Sequence, residues 1–196
     1  ESEGYDKVNG MRLPNGQDQL IEAVVKANPR TVVVLYGGTA IDMQNWGSKV
    51  PVLIDALFPG QEGSRALADI ITGKVNPSGR LPFSFIASPQ QSPAYKGYKD
   101  PSLNAPYSEG IFMGYRYYDK NNVKPAFAFG YGLSYTTFSY DEMKVNRLND
   151  KEFEVLVKIT NTGKREGTEV VQLYVAPPQA EDMPVKELKG FATLTL

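Results

Sequence analysis

Residues 17–27 place Leu20, Ile21, Val24 and Val25 on one side of a 3.6-residue period, which predicts an amphipathic helix with that stripe turned inward. Asn15, with Asp18 three residues on, fits an N-cap followed by an acidic N3 residue, and Asn28-Pro29 ends the pattern. Thr31-Val32-Val33-Val34-Leu35-Tyr36 is a continuous β-branched and apolar run, the pattern of a parallel strand buried on both faces. Gly37-Gly38 then turns the chain. Residues 50–57 read as a short helix and residues 61–71 as another, with Ala66, Leu67, Ile70 and Ile71 inward and Gly73 as its stop. Residues 81–86 read as a further strand.

The pattern changes twice after that. Residues 87–125 are rich in Pro, Gly, Ser and Tyr with little periodicity, and a loop of that length in a compact unit is functional or interfacial. From Phe138 onward the period is two. Phe153, Val155, Val157 and Ile159 share one face of a strand over 152–160, and Val171, Leu173 and Val175 share one face over 168–175. Residues 186–196 make a third candidate strand. Short alternating strands separated by turns such as Asn161-Thr162-Gly163 suggest an antiparallel sandwich. The expected organisation is therefore an α/β unit over residues 1–126, with a mainly parallel sheet, and an all-β sandwich over 127–196, joined around 127–138. A reactive-looking turn at the front and an unfinished strand pattern at the back lead to the expectation that both ends are cut from a longer protein.

Composition narrows the chemistry more than the fold. The chain has 196 residues, 41% of them hydrophobic and 22% charged, with a formal net charge of −1. No basic run of the nucleic-acid-binding kind occurs, and no apolar run approaches the roughly 20 residues that span a bilayer, so neither nucleic acid nor a membrane is an expected partner. Cys and His are both absent. That removes thiol and Ser-His-Asp catalysis together with the usual zinc ligands, and no metal or cofactor is expected. Acid–base work falls to Asp, Glu, Lys or Tyr. Compartment stays open.

Five constellations then compete with plainer readings. Gly37-Gly38 lacks the spacing of a nucleotide-binding loop and reads as a turn. Pro59-Gly60-Gln61-Glu62-Gly63 reads as a turn into a helix start, where Glu62 complements the dipole. Trp46, the only Trp, follows the buried strand at the end where parallel sheets gather ligands; it could stack on a sugar or anchor the core. Tyr115, Tyr117 and Tyr118 around Arg116 could line a sugar site, though interface packing is the preferred reading. The Glu3 carboxylate, in Ser2-Glu3-Gly4-Tyr5-Asp6, would by itself be a solvated surface group.

Taken together, the segments resemble glycoside hydrolase family 3, in particular its β-glucosidase-like members. The resemblance rests on Glu1-Ser2-Glu3-Gly4-Tyr5-Asp6, Leu13-Pro14, Pro59-Gly60-Gln61-Glu62-Gly63 and Gly73-Lys74-Val75-Asn76-Pro77-Ser78-Gly79-Arg80-Leu81-Pro82. It continues through Glu109-Gly110-Ile111-Phe112-Met113-Gly114-Tyr115-Arg116, Phe129-Gly130-Tyr131-Gly132-Leu133-Ser134, Gly167-Thr168-Glu169-Val170-Val171-Gln172 and Lys186-Glu187-Leu188-Lys189-Gly190-Phe191. These stretches are collinear and cover nearly the whole chain.

The resemblance implies a layout of TIM-like barrel, α/β sandwich and fibronectin type III-like domain, of which this chain would hold the later α/β sandwich and a truncated fibronectin-like domain. It also implies retaining cleavage of terminal non-reducing β-D-glucosyl residues from glucosides or oligosaccharides. The nucleophile would be an Asp on the barrel and so absent from this chain, making that barrel a required partner. The general acid/base would be Glu3, with Glu1 as the near alternative. Lys7 stands where the family often has Arg, a departure that bears on charge near the turn. Two other readings remain beside this one: a non-catalytic scaffold or interaction module of such an enzyme, and a related β-xylosidase. By itself the chain is expected to be inactive.

Overall fold

The computed structural model describes residues 10–98, 104, 106–178 and 182–196. The segment carrying Glu1, Glu3 and Lys7 lies outside the described residues. Within them the chain runs as α1 (Gln17–Ala27), β1 (Val32–Leu35), β2 (Val52–Asp55), α2 (Gly63–Ile71), α3 (Tyr95–Tyr98), α4 (Tyr115–Lys120), β3 (Phe138–Arg147), β4 (Phe153–Asn161), β5 (Thr168–Val175) and β6 (Glu187–Thr195). The described strands form three two-stranded sheets. One is parallel, β1 with β2 in the register Val32↔Val52, and two are antiparallel, β3 with β4 and β5 with β6. The α/β class holds, with the mixed sheets described rather than one larger parallel sheet.

Helix α1 forms where its period places it, but its start and its exposure differ from expectation. The N-cap is Gly16, at φ 73°, with no side-chain cap bond, so Asn15 does not cap. Asp18 is engaged elsewhere: its Oδ1 accepts the indole N–H of Trp46 at 2.9 Å. The expected buried stripe is only half realised. Ile21 packs on the core, whereas Leu20 is 62% exposed and Val24 is exposed as well. An amphipathic period identifies a face; it does not supply the surface that covers it.

The run 50–57 is a strand over Val52–Asp55, not a helix. Four apolar residues are too few to show either period, and the β-branched Val52 and Ile54 decide for extended backbone once β1 offers a ladder. The expectation that 31–36 is buried on both faces is also corrected. Leu35 is buried, but Val32 and Tyr36 are exposed. Residues 81–86 do not form a regular strand. Pro82 has no N–H to give a ladder, and only Phe85 bridges, antiparallel to Phe127, with flanking bonds from Leu81 N–H to the Tyr131 carbonyl and from Gly130 N–H to the Leu81 carbonyl. Helix α2 ends as read: Gly73, at φ 76°, returns its N–H to the carbonyl of Ile70 at 2.9 Å, a left-handed stop that suits glycine.

Leu35, Ile41, Met43, Trp46 and Phe85 make the buried core of the α/β half, with Ile21 and Phe127 packed against it. Strands β4, β5 and β6 fall on the three alternating runs. β3 is not among the strands read from the sequence; a bulge interrupts its register between Asp141 and Lys144 and places Glu142 at φ 51°.

The two halves meet through the loop after α2. Asn76 Oδ1 accepts from Ser134 Oγ at 3.0 Å and from Tyr135 N–H at 2.7 Å, while its Nδ2 donates to the Glu166 carbonyl at 2.9 Å. Arg165 donates to the Gly73 carbonyl and lies 5.5 Å over the Tyr135 ring. Gly132 is needed for this approach. A Cβ there would meet the carbonyl oxygen of Gly79 inside van der Waals contact and lie 3.0 Å from Arg80 Cδ. Gly132→Ala is therefore expected to destabilise the chain by about 1–3 kcal/mol, the range for overpacking. At about 2–4 °C per kcal/mol, calorimetry should show a melting point lowered by several degrees.

Candidate functional site

The carboxyl end of β1 is where a parallel pair presents its loops to a ligand. Here the loop after β1 is tied to the chain that leaves the Glu3 segment: Asp42 N–H donates to the Met11 carbonyl at 2.9 Å, and Arg12 Nε sits 3.8 Å from Asp42 Oδ2. Asp42 also accepts Gln44 N–H at 3.0 Å, so its loop is held in shape by its own carboxylate. Beside this junction lies a crevice of about 340 Å³ walled by Met11, Thr39, Ala40, Ser84, Ile86 and Tyr95. Its lining is mainly apolar. No carboxylate is among the described residues that wall it.

Trp46 is fully buried, at 0% exposure. Its ring packs in the core cluster with Leu35, Met43 and Phe85, and its N–H is committed to Asp18. The sugar-stacking alternative for Trp46 is thus replaced by the packing one, since no ring face is open in this structure. Gly37 continues the pairing of β1 with β2 past the last ladder residues, donating its N–H to the Leu57 carbonyl at 3.2 Å. Tyr115 and Arg116 are interface residues. Tyr115 stacks on Phe129 at 5.1 Å, meets Tyr174 edge-on at 5.8 Å and accepts Leu188 N–H at 2.8 Å. Arg116 Nε lies 3.1 Å from Glu187, and Tyr118 is buried.

Sequence reasoning missed two groups of polar residues. Asp55 closes β2, and burial pushes its carboxyl up from the usual range, against a backbone bond from Leu57 N–H that pulls the other way. The second group lies in a larger groove of about 700 Å³ between residues 128–138 and β5, lined by Arg80, Tyr115, Tyr131, Tyr140, Glu169 and Gln172. Glu169 accepts from Arg80 at 2.6 Å and from the Tyr140 hydroxyl at 2.7 Å. Burial, aided by that bond to Glu169, pushes the Tyr140 phenol up to about 12, so it stays a donor throughout the neutral range. Asp119 is 3.3 Å from Lys186. A carboxylate already holding a guanidinium and a phenol is poorly placed for proton transfer to a substrate, so the larger groove is an interlock and the smaller crevice the better site. Among the described residues no cluster of three or more metal-ligating side chains occurs, and no helix is long and apolar enough to cross a membrane.

Residues 1–135 match the family model of the glycosyl hydrolase family 3 C-terminal domain, and residues 169–196 match the fibronectin type III-like domain. The chain belongs to glycosyl hydrolase family 3. Among curated relatives it is 44% identical, over 204 residues, to a probable beta-glucosidase I of Aspergillus fumigatus and 42% identical, over 205 residues, to that of Aspergillus oryzae. In both cases all of this chain is covered but only 24% of the relative. Among solved structures it superposes on a family 3 beta-glucosidase of Bifidobacterium adolescentis with a TM-score of 0.94 at 36% identity, covering 100% of this chain and 29% of that one. It also superposes on the beta-glucosidase of Kluyveromyces marxianus in complex with glucose, with a TM-score of 0.92 at 42% identity, covering 100% and 23%. The chain therefore spans about a quarter of the length of these family 3 proteins.

Proposed function

We propose that this chain works within a longer retaining β-glucosidase that releases terminal non-reducing β-D-glucosyl residues, and that Glu3 is its general acid/base. The observation that carries the reading is the likeness along the whole chain to proteins named as beta-glucosidases, at 36–44% identity. Within that reading residues 1–126 are the later part of the family's α/β sandwich and residues 127–196 a fibronectin type III-like sandwich. The nucleophilic Asp belongs to a TIM-like barrel, so the chain alone is inactive.

The chemistry sets the demands on Glu3. A retaining hydrolase needs its two carboxyl groups about 5–5.5 Å apart. One attacks the anomeric carbon, while the other protonates the leaving oxygen and then activates water. The acid has to hold its proton near working pH, which a crevice with apolar walls favours by penalising the ionised form. Met11, eight positions after Glu3 in the sequence, is itself part of such a wall.

The test is a chimera in which this chain replaces the matching segment of the Kluyveromyces marxianus enzyme. Glu3→Ala should leave the glycosyl-enzyme stranded, and added azide should restore turnover by forming a β-glucosyl azide of retained configuration. Glu1→Ala should behave like the unmutated chimera. If azide rescues the Glu1 variant instead, the role passes to Glu1; if it rescues neither, the assignment to this segment fails.

A further inference from the structure

We infer that strand β5 acts as a latch on the α/β half, supporting the crevice wall from behind, so that the two halves unfold as one cooperative unit. This does not depend on which carboxylate performs catalysis.

The path can be followed residue by residue. Ser84 and Ile86 wall the crevice. Behind them, residues 126–131 lie along residues 81–85: Phe85 N–H donates to the Phe127 carbonyl at 2.8 Å, Ala126 N–H to the Phe85 carbonyl at 2.7 Å, and Phe129 N–H to Ser84 Oγ at 3.2 Å. The far side of that strap faces β5. Gln172 Nε2 donates to the Gly130 carbonyl at 3.2 Å, and the Gln172 Oε1 accepts from the Tyr174 hydroxyl at 2.7 Å. The strap is thus held between the wall and a strand of the β-rich half.

Arg80 and Glu169 fasten the other end. Their side chains are 11% and 12% exposed and 2.6 Å apart, and 89 residues of sequence separate them. A pair this sheltered contributes little net stability when intact, yet removing one partner leaves a charge without water or counter-ion. The Arg80 guanidinium also donates to the Ser78 carbonyl at 3.1 Å, so its fork spans its own loop and β5 at once. Breaking the pair should therefore release Leu81, the next residue, and through it the wall.

Trp46 makes this measurable. It is the sole Trp, it lies wholly in the α/β core beside Phe85, and it has no bond to the β-rich half. In urea, the unmutated chain should lose Trp46 fluorescence and β-sheet circular dichroism at one midpoint. Glu169→Gln should move both midpoints down together, with at least about a tenfold rise in the unfolded-to-folded ratio, and should raise the hydrogen exchange of Leu81 and Phe85 amides at least about tenfold. Gln172→Ala, which removes one bond and no charge, should do the same more weakly and serves if Glu169→Gln does not fold. A circular dichroism midpoint that falls while Trp46 fluorescence and the Phe85 amide keep their unmutated behaviour overturns the latch.

Discussion

Glu3→Ala, made in the chimera described above, is expected to cut kcat/KM for a glucoside with a poor leaving group by about 10²–10⁴-fold, the range that general acid–base catalysis supplies. The loss should shrink sharply for a dinitrophenyl glucoside, whose departing oxygen needs no proton. With that substrate the first step survives and the second, water attack on the glycosyl-enzyme, limits the rate. KM should then fall together with kcat, because the intermediate accumulates. The alkaline limb of the pH profile should also disappear, since the group whose deprotonation causes it has gone. A uniform loss across leaving groups would indicate a residue that binds or folds, and would remove Glu3 from the acid/base role.

Trp46→Ala is the largest stability effect expected. A fully buried Trp truncated to Ala costs about 3–5 kcal/mol in transfer and cavity terms. Asp18 would also lose the indole N–H that now meets it at 2.9 Å. At about 2–4 °C per kcal/mol, calorimetry on the chain should record a melting point lower by about 6–20 °C. Trp46→Phe should recover part of it, restoring most of the volume but not the bond to Asp18. In the chimera the same substitutions should change the amount of folded enzyme and leave KM for glucosides near its unmutated value. A raised KM at unchanged stability would return Trp46 to the substrate.

How legible these features were depended on how far apart the cooperating residues lie. Helix α2 with its Gly73 stop, and strands β4 to β6, follow from side chains within one or two turns or pleats of each other. The run at 52–55 is too short for its own period to speak, and became a strand because β1 stands beside it. The burial of Trp46 depends on α1 approaching from 28 positions upstream. Asn76 and Arg80 read locally as polar residues in a Pro- and Gly-containing turn. Their significance comes from Ser134 at 58 positions and Glu169 at 89, and no local pattern carries that. The acid/base reading came from a different source: the resemblance of Glu3-Gly4-Tyr5-Asp6 to a family motif, not a geometry.

The Arg80–Glu169 pair also bears on how such sequences can be recombined. Any crossover between positions 80 and 169 takes the guanidinium from one parent and the carboxylate from the other. A shuffled library built from relatives would therefore lose offspring in which the second parent offers no acid at 169, and the loss would look like a failed domain boundary. Moving residues 73–80 together with the β-rich half, as a discontinuous cassette, keeps Asn76 and Arg80 with the partners they meet across the joint.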